Sequence, residues 1–324
     1  MASFKYNNVY LNNSYSVVGP YEKKGNIKKY DEAIDDFYGG ESTLEKCEVK
    51  MQEKVINGLL EKSFMPSKDI DLVVGGDLLN QISITSYNMR NYDIPFLGLY
   101  GACATFLESL IILSNFIEAG QIKNGIAITS SHNLNSEKQF RFPIEYGSPK
   151  PDRTTFTATG AVGCTISAKK SNVKVKSATI GRVVDYGIKD PYNLGAAMAP
   201  ACADVIRSHL NDLNLKPKYY DLILTGDLGV GGAKILKRLL ESDYGIILKN
   251  HLDAGTLIYK KEQETYDGAS GPIALPLVLF NKILKDKKYK NILIVGTGAM
   301  HSPVMLNQKD SVPGISYAVS LEVK

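Results

Sequence analysis

The chain has 324 residues, of which 44% are hydrophobic, and a formal net charge of +4. This length allows two domains or one large two-lobed unit, and the apolar fraction is ordinary for a globular protein. The positive charges are spread along the chain without a long basic block, so no nucleic acid is expected as a partner. The densest cluster, KILKDKKYKN at 282–291, is expected to be a solvated helix end rather than a membrane or phosphate patch.

The cysteines and the apolar runs indicate where the chain resides. Four cysteines occur, at Cys47, Cys103, Cys164 and Cys202. They have neither metal-binding spacing nor short-range pairing, which favours a reduced, intracellular chain. The first twenty residues lack a basic segment followed by an apolar core, so no secretory signal is expected. The apolar run at 96–117 approaches the length of a bilayer span, but Glu108 interrupts it and no transmembrane helix is predicted.

The predicted elements, taken in chain order, occur twice. An amphipathic helix is predicted at about 42–63 and another at about 193–212. After each helix comes a short apolar strand that ends in glycine and aspartate, in KDIDLVVGGDLLNQ (68–81) and in YYDLILTGDLGVGG (219–232). The second element pair therefore has the same order as the first.

The later elements of each half also match. A helix that is apolar nearly all round begins at Cys103, and another follows YDGASGP, so both are expected to be buried. Continuous apolar strands then occur in KNGIAITSSH (123–132) and YKNILIVGTGAMH (289–301). The stretches at 159–169 and 172–187 are typical of antiparallel strands that complete the first half and lead into the second.

Strands alternating with helices predict an α/β fold with mostly parallel sheets that are covered on both faces. Two such halves with adjacent buried helices would form a duplicated, five-layered α-β-α-β-α architecture. The boundary is predicted near residue 170, with an N-terminal half at 1–170 and a C-terminal half at 171–324.

Several blocks of the chain carry a family resemblance. They are GLYGACATFLESL (98–110), SSHNLNSEKQFRFPIEYG (130–147), TATGAVG (157–163), DYGIKDPYNLGAAMAPA (185–201), LTGDLGVGG (224–232) and GTGAMHSP (296–303). With its duplicated α/β halves and a cysteine at the start of a buried helix, the chain resembles the thiolase and ketoacyl synthase superfamily. Within that superfamily it is most similar to the stage V sporulation protein AD family of endospore-forming bacteria.

This resemblance implies a thiolase-like protein that binds pyridine-2,6-dicarboxylic acid (dipicolinic acid), alone or as the calcium chelate, and helps to move it into the developing spore. It implies other stage V sporulation membrane proteins as partners, and so a soluble chain held peripherally at the spore inner membrane. It also implies a homodimer, because superfamily members usually pair through the strand near 126–131.

Cys103 occupies the position at which condensing enzymes of the superfamily carry their nucleophile. Those enzymes need histidine or asparagine partners that move protons and hold the thioester oxygen. The loop after the strand at 221–225 has TGDLGVGG, and DGASGPIALP precedes the second buried helix, so both expected partners are missing. His301 does not match a usual partner position. No catalytic residue is therefore predicted, and Cys103 is expected to form the floor of an inherited pocket.

The ligand that the family implies is flat, aromatic and doubly anionic, which directs attention to the charged and aromatic segment at 132–145. Arg141 is expected to bind one carboxylate in bidentate fashion, with Phe140 or Phe142 against the ring. Helix amides near Cys103 are expected to receive the second carboxylate. The predicted ligand-binding residues are Cys103, His132, Lys138, Phe140, Arg141, Glu145, Asp227 and His301.

No cofactor is expected, except that calcium could accompany the ligand. In that case Glu145, Asp152 or Asp227 would supply oxygen atoms. Structural alternatives stay open for these residues, since Arg141 and Glu145 are four apart and could pair, and Asp227 could cap a turn. Two other functions also stay open: an acyl-transferring condensing enzyme that uses Cys103, and a scaffold subunit of a membrane complex with a vestigial pocket.

Overall fold

A computed structural model describes residues 2–141 and 150–324. The strands in this part of the chain are β1 Ala2–Lys5, β2 Tyr10–Val18, β3 Glu32–Ala33, β4 Leu72–Gly76, β5 Phe96–Gly98, β6 Asn124–Ser131, β7 Phe156–Thr157, β8 Gly160–Ser167, β9 Val173–Ile180, β10 Leu222–Thr225, β11 His251–Asp253, β12 Ala269–Ser270, β13 Asn291–Ala299 and β14 Gly314–Val323. The helices are α1 Pro20–Lys23, α2 Leu44–Ser63, α3 Ser83–Met89, α4 Thr105–Glu118, α5 Asn133–Phe140, α6 Leu194–Asp212, α7 Gly229–Tyr244, α8 Gly255–Ile258, α9 Ala274–Val278, which continues as a π-helical turn over Leu279–Ile283, and α10 Pro303–Asn307.

The strands form two groups with the same order and orientation. In the first, β5-β4-β6-β8-β2, β4 runs parallel to β5 and β6, while β8 is antiparallel to β6 and β2. In the second, β11-β10-β13-β14-β9, β10 runs parallel to β11 and β13, while β14 is antiparallel to β13 and β9. Among the described residues, the two groups join where Tyr10 and Leu11 of β2 pair with Lys174 and Val173 of β9. The predicted duplication of the fold is confirmed.

Helices cover both groups of strands and also separate them. Helix α2 packs on β2, β8 and β6 from one side, and α6 packs on β14, β13 and β9 from the opposite side, with α7 beside it. Helix α4 contacts strands of both groups, and Phe106 of α4 meets Phe280 of the α9 continuation edge to face at 5.9 Å. The central layer is therefore apolar on all sides, as predicted from its sequence, and the five layers are present.

The outer helices begin at conventional capping residues. The side chain of Thr43 accepts a hydrogen bond from the Lys46 N–H at 3.2 Å at the start of α2, and Asn193 does the same for the Ala196 N–H at 3.3 Å before α6. Each cap satisfies a backbone donor that the helix itself leaves free. In the part of the chain that the structure describes, no helix combines the length and hydropathy needed to cross a bilayer.

The duplication extends to individual hydrogen bonds at the amino ends of the strands. The carboxylate of Asp71 accepts from the N–H groups of Lys123 and Asn124, at 2.7 and 2.9 Å. The carboxylate of Asp221 accepts from the N–H groups of Lys290 and Asn291 in the same way, both at 2.8 Å. Asp71 thereby connects the loop before β4 to the start of β6, and Asp221 connects the loop before β10 to the start of β13. The same hydrogen bonds therefore occur in both halves.

One sequence-based detail is wrong. The strand near 126–131, expected to pair across a dimer axis, is β6, which has β4 on one side and β8 on the other. Because both of its edges are occupied, it cannot extend the sheet into a second copy. The outermost strand of the first group is β5, beyond β4. The domain boundary near 170, which falls between β8 and β9, stays a prediction.

Glu22 is a fully buried carboxyl group in the short helix α1. It accepts hydrogen bonds from the Thr159 N–H at 3.1 Å and from the Tyr259 hydroxyl, while its second oxygen has no partner among the described residues. Burial raises the pKa of Glu22 from 4.5 to about 7. Because the folded pKa is higher than the unfolded one, this group's contribution to stability is complete below about pH 4.5 and is lost as the pH rises through about 7.

The variant Glu22→Gln tests this linkage, because glutamine keeps the shape and removes the charge. We expect the wild-type free energy of unfolding to fall between pH 5 and 8 by a few kcal/mol more than that of Glu22→Gln, since each unit of pKa shift corresponds to about 1.4 kcal/mol. Urea denaturation at several pH values measures both slopes. Equal slopes would show that Glu22 is ionised at no cost in the folded chain.

Candidate functional site

A narrow cleft lies at the carboxyl ends of the parallel strands. Both halves line it, with Cys103 and Arg141 from the first and Ser270, Gly271 and His301 from the second. The cleft has a cavity volume of about 40 Å³. Its walls therefore lie close together. This is the edge of an open α/β sheet at which ligands usually bind.

A tight turn presents Cys103 to this cleft. The turn, Ala102–Ala104, precedes α4, and Ala102 adopts a left-handed conformation with φ of +49°. The Thr105 hydroxyl holds the turn by accepting from the Gly101 N–H at 3.0 Å and donating to the Ala102 carbonyl at 2.7 Å. Strand β13 approaches so closely that a Cβ on Gly298 would lie 2.5 Å from the Gly101 carbonyl oxygen. The thiol is thus fixed where the buried helix starts.

Asp227 lies behind the thiol and is fully buried. It follows β10, and its carboxylate accepts from the Thr297 hydroxyl at 2.7 Å and from the Gly271 N–H at 2.9 Å. The Cys103 thiol also donates to it. Gly271 can aim its N–H at the carboxylate because it has a φ of +105°. Burial raises the pKa of Asp227 to about 6, even though these hydrogen bonds favour the carboxylate.

The environment of Cys103 keeps its thiol protonated. Burial is the main cause that raises the pKa of Cys103 well above its usual range, and the negative charge of Asp227 raises it further. A thiolate is the reactive form of cysteine. A neutral thiol that donates to a carboxylate is therefore a poor nucleophile at neutral pH, although it lies at the start of a helix.

Arg141 supplies a positive charge to the wall of the cleft. It follows the last residue of α5, and its side chain is only 8% exposed. The guanidinium donates to Glu137 at 2.8 Å, and the Lys150 ammonium lies 2.9 Å from the same carboxylate oxygen. The Tyr192 ring lies 5.7 Å from the guanidinium carbon. Two cations thus share one carboxylate, which leaves one net positive charge at this wall.

His301 contributes a neutral imidazole to the same cleft. It follows β13, and its ring meets the Phe140 ring edge to face at 5.3 Å. Burial, assisted by the charge of Arg141, lowers the pKa of His301 to about 4. Among the described residues, neither ring nitrogen has a hydrogen-bond partner, and the Ser136 hydroxyl at the cleft also lacks one. Buried polar atoms are normally paired, so these atoms are available to a bound ligand or to water.

The structure thus brings together four of the predicted ligand-binding residues, Cys103, Phe140, Arg141 and His301, at one cleft. Asp227 contacts this cleft indirectly, through Cys103. His132 is buried elsewhere, with its Nε2 2.8 Å from the Phe37 carbonyl oxygen.

Other predicted residues lie away from the cleft or outside the described part of the chain. Lys138 is on the outer surface, where it pairs with Glu45 at 2.6 Å. Glu145 lies outside the described residues, as does Phe142. Asp152 is exposed. Within residues 2–141 and 150–324, no group of three or more His, Cys, Asp or Glu side chains is arranged to hold a metal ion.

Sequence reasoning missed the groups that set the charge of the Arg141 wall. It considered Glu145 as the partner four residues after Arg141, whereas the structure shows Glu137, four residues before it. Both spacings are compatible with a helix, so the sequence alone does not choose between them. Lys150 and Tyr192 reach the same wall from distant segments, for which the sequence holds no local signal.

Structural comparison defines the class of protein. An OleA variant from Xanthomonas campestris superposes with a TM-score of 0.66 at 12% identity, covering 98% of this chain and 97% of that one. The 3-oxoacyl-[acyl-carrier-protein] synthase III of Aquifex aeolicus VF5 superposes with a TM-score of 0.59 at 15% identity, covering 97% of this chain and 99% of that one. The chain therefore has the thiolase-like fold of condensing enzymes. At these identities the likeness concerns the fold alone.

Sequence comparison then identifies the family. The model of the family described as "Stage V sporulation protein AD (SpoVAD)" matches residues 2–322. Stage V sporulation protein AD of Bacillus subtilis (strain 168) is 39% identical over 318 residues, which cover 97% of this chain and 94% of that protein. The chain belongs to the stage V sporulation protein AD family, and the predicted resemblance is confirmed.

Proposed function

We propose that the chain binds dipicolinic acid, free or as its calcium chelate, in the cleft between the two halves, and that it takes part in the uptake of this compound into the developing spore without catalysing a reaction. The observation that carries the proposal is the buried Arg141 guanidinium in an aromatic wall. A guanidinium binds a carboxylate through two parallel hydrogen bonds, and aromatic rings favour a flat ligand.

The shape and the unpaired polar atoms of the cleft support a flat, polar ligand. Closely spaced walls accept a planar ring more readily than a branched molecule. Phe140 and Tyr100 line the cleft beside Arg141, so a ring could lie against an aromatic face while one carboxylate meets the guanidinium. The His301 nitrogens and the Ser136 hydroxyl, which have no partner among the described residues, are suited to the second carboxylate or the ring nitrogen.

Two observations count against the other functions. Acyl transfer requires an activated thiol, whereas burial and Asp227 hold Cys103 in the neutral form. A scaffold with a vestigial pocket has no need of a buried cation or of unpaired polar atoms, whereas the cleft has the Arg141 guanidinium and, among the described residues, the unpaired nitrogens of His301. Both observations favour a protein that binds a ligand and does not catalyse a reaction. Calcium, where present, is proposed to arrive with the ligand rather than to occupy a prepared site.

Cys103→Ala is expected to bind dipicolinate within a few-fold of the wild-type affinity, because the thiol donates to Asp227 and holds no charge for the ligand. Isothermal titration of both proteins with dipicolinate, with and without calcium, measures this directly. No heat from the folded wild-type protein would contradict the proposed function. Loss of binding in Cys103→Ala alone would show that the thiol itself contacts the ligand.

We also propose that the chain acts as a homodimer and lies at the spore inner membrane in contact with other stage V sporulation membrane proteins. If sheets of two copies pair across a twofold axis, the outermost strand β5 is the one available in the first half. Its residue Leu97 is 40% exposed, which leaves apolar surface for such a contact.

A further inference from the structure

A basic surface lies at the end of the molecule opposite to the cleft. It consists of the three loops at 214–221, 245–250 and 284–291, which precede strands β10, β11 and β13, and we call it the basic loop surface. These loops contain seven lysines and two aspartates; the lysines are Lys216, Lys218, Lys249, Lys285, Lys287, Lys288 and Lys290. The surface therefore carries five net positive charges, in a chain whose total formal charge is +4.

Hydrogen bonds hold the three loops together. The Asp221 N–H donates to the Asn291 carbonyl at 2.8 Å, and the Asp221 carboxylate accepts from the Lys290 N–H at 2.8 Å. Asn250 donates to the Pro217 carbonyl at 3.2 Å, and its own carbonyl accepts from the Ile223 N–H at 2.8 Å. The lysines are thus gathered on a fixed framework, although the chain carries them in three separate segments.

The lysine side chains have no acidic partners in the described part of the chain, although Lys285 donates to the Asn281 side chain at 3.4 Å and Lys288 lies 5.1 Å from the centre of the Tyr289 ring. All seven lysines are exposed, and none forms an ion pair within the described part of the chain. Two large apolar side chains lie among them: Ile247 is 59% exposed and Tyr219 is 43% exposed. Lysines without counter-charges, mixed with exposed apolar side chains, form a surface that is both cationic and partly hydrophobic.

The fold itself does not require this charge, as the first half shows. The corresponding loops there are 64–71, 90–95 and 119–124, and they precede β4, β5 and β6. Their basic residues are Lys68, Arg90 and Lys123, and their acidic residues are Asp69, Asp71 and Asp93, so they carry no net charge. The two sets of loops occupy corresponding positions in the two halves, and each contains an aspartate that binds the backbone of a neighbouring loop. Their net charges nevertheless differ by five. The excess must reflect something other than folding.

We infer that the basic loop surface docks the chain directly onto an anionic lipid bilayer. Clustered lysines are attracted to anionic headgroups, and the exposed side chains of Ile247 and Tyr219 can enter the interface between headgroups and acyl chains. Stable membrane association usually requires two such signals together. In this orientation the cleft faces away from the bilayer and stays open to the surrounding solution.

A bilayer fits these observations better than an acidic protein does. The lysines are distributed over the tips of three loops, and no bidentate guanidinium is present in those loops to define a specific carboxylate partner. A lysine cluster with exposed apolar side chains in two of its three loops suits a broad, uniformly charged surface. The inference is independent of the proposed ligand, because the cleft lies at the other ends of the strands.

Co-sedimentation of the full chain with vesicles tests the inference. We expect the wild-type protein to sediment with phosphatidylcholine vesicles that contain phosphatidylglycerol and to stay in solution with phosphatidylcholine alone. The triple variant Lys285→Glu, Lys287→Glu, Lys288→Glu is expected to lose about a hundredfold in apparent affinity or more, because each lysine near an anionic surface contributes about fivefold.

A matched triple variant controls for net charge. Lys24→Glu, Lys28→Glu and Lys29→Glu change the total charge equally at exposed lysines outside the basic loop surface, and we expect near wild-type binding from this protein. Thermal unfolding confirms that both triple variants are folded. The inference is overturned if the wild-type protein ignores anionic vesicles, binds neutral vesicles equally, or loses the same affinity in both triple variants. The first of these outcomes would favour an acidic protein as the occupant.

Discussion

Replacing Arg141 by alanine is expected to lower the affinity for dipicolinate by about tenfold to a hundredfold. A hydrogen bond to a charged group contributes about 1.5–3 kcal/mol, and Arg141 offers two of them from a side chain that is already desolvated. Isothermal titration measures the change. Lys138→Ala is the matched control, because Lys138 is a cation of α5 whose side chain points outward and pairs with Glu45. This variant should bind dipicolinate within about twofold of the wild-type affinity.

Glu137→Gln is expected to have the opposite effect on the affinity for dipicolinate. Glu137 neutralises part of the charge of Arg141 and Lys150, and it would lie close to an anionic ligand. Replacing it by the neutral amide leaves both cations with fewer counter-charges, so we expect tighter binding of the dianion. Weaker binding would instead show that Glu137 is needed to orient Arg141, and unchanged binding by both variants would place the ligand elsewhere.

The fold was predictable from the sequence because the same local sequence patterns occur in both halves of the chain. A glycine and aspartate pair occurs at the end of β4 (Gly76 and Asp77) and directly after β10 (Gly226 and Asp227), and β6 and β13 are continuous apolar runs that require cover on both faces. Which strands lie at an edge was not predictable. A run such as 126–131 has the same composition in the middle of a sheet as at its side, so the expected dimer strand was wrong.

The candidate site was predictable only in part, for a physical reason. Arg141, Phe140, Cys103 and His301 have chemistry that suits an anionic aromatic ligand, and the structure gathers them at one cleft. The contact between Cys103 and Asp227 joins residues from opposite halves, and the sequence offered only a turn-capping role for the aspartate. That contact adds to the effect of burial, and together they keep the thiol neutral.

The reactions of Cys103 provide the second test with a large expected effect. With iodoacetamide at pH 8 we expect alkylation much slower than that of a small free thiol, because burial and Asp227 both disfavour the thiolate. Incubation with an acyl-coenzyme A should add no acyl group to the peptide that contains Cys103. Mass spectrometry of that peptide follows both reactions. Rapid acylation of Cys103 would contradict the proposed role and would support the condensing-enzyme function.

Asp227→Asn separates the effect of charge from the effect of burial. The substitution removes the carboxylate that the thiol contacts, so the pKa of Cys103 should fall and alkylation should become faster by about tenfold or more, since a neighbouring like charge is a major influence on a buried acid. Thr297→Val is the control, because it deletes a hydrogen bond to Asp227 and leaves the carboxylate in place. Faster alkylation in both variants would mean that loosened packing, and not the lost charge, exposes the thiol. Faster alkylation in Asp227→Asn alone would show that the charge of this aspartate helps to keep the Cys103 thiol unreactive.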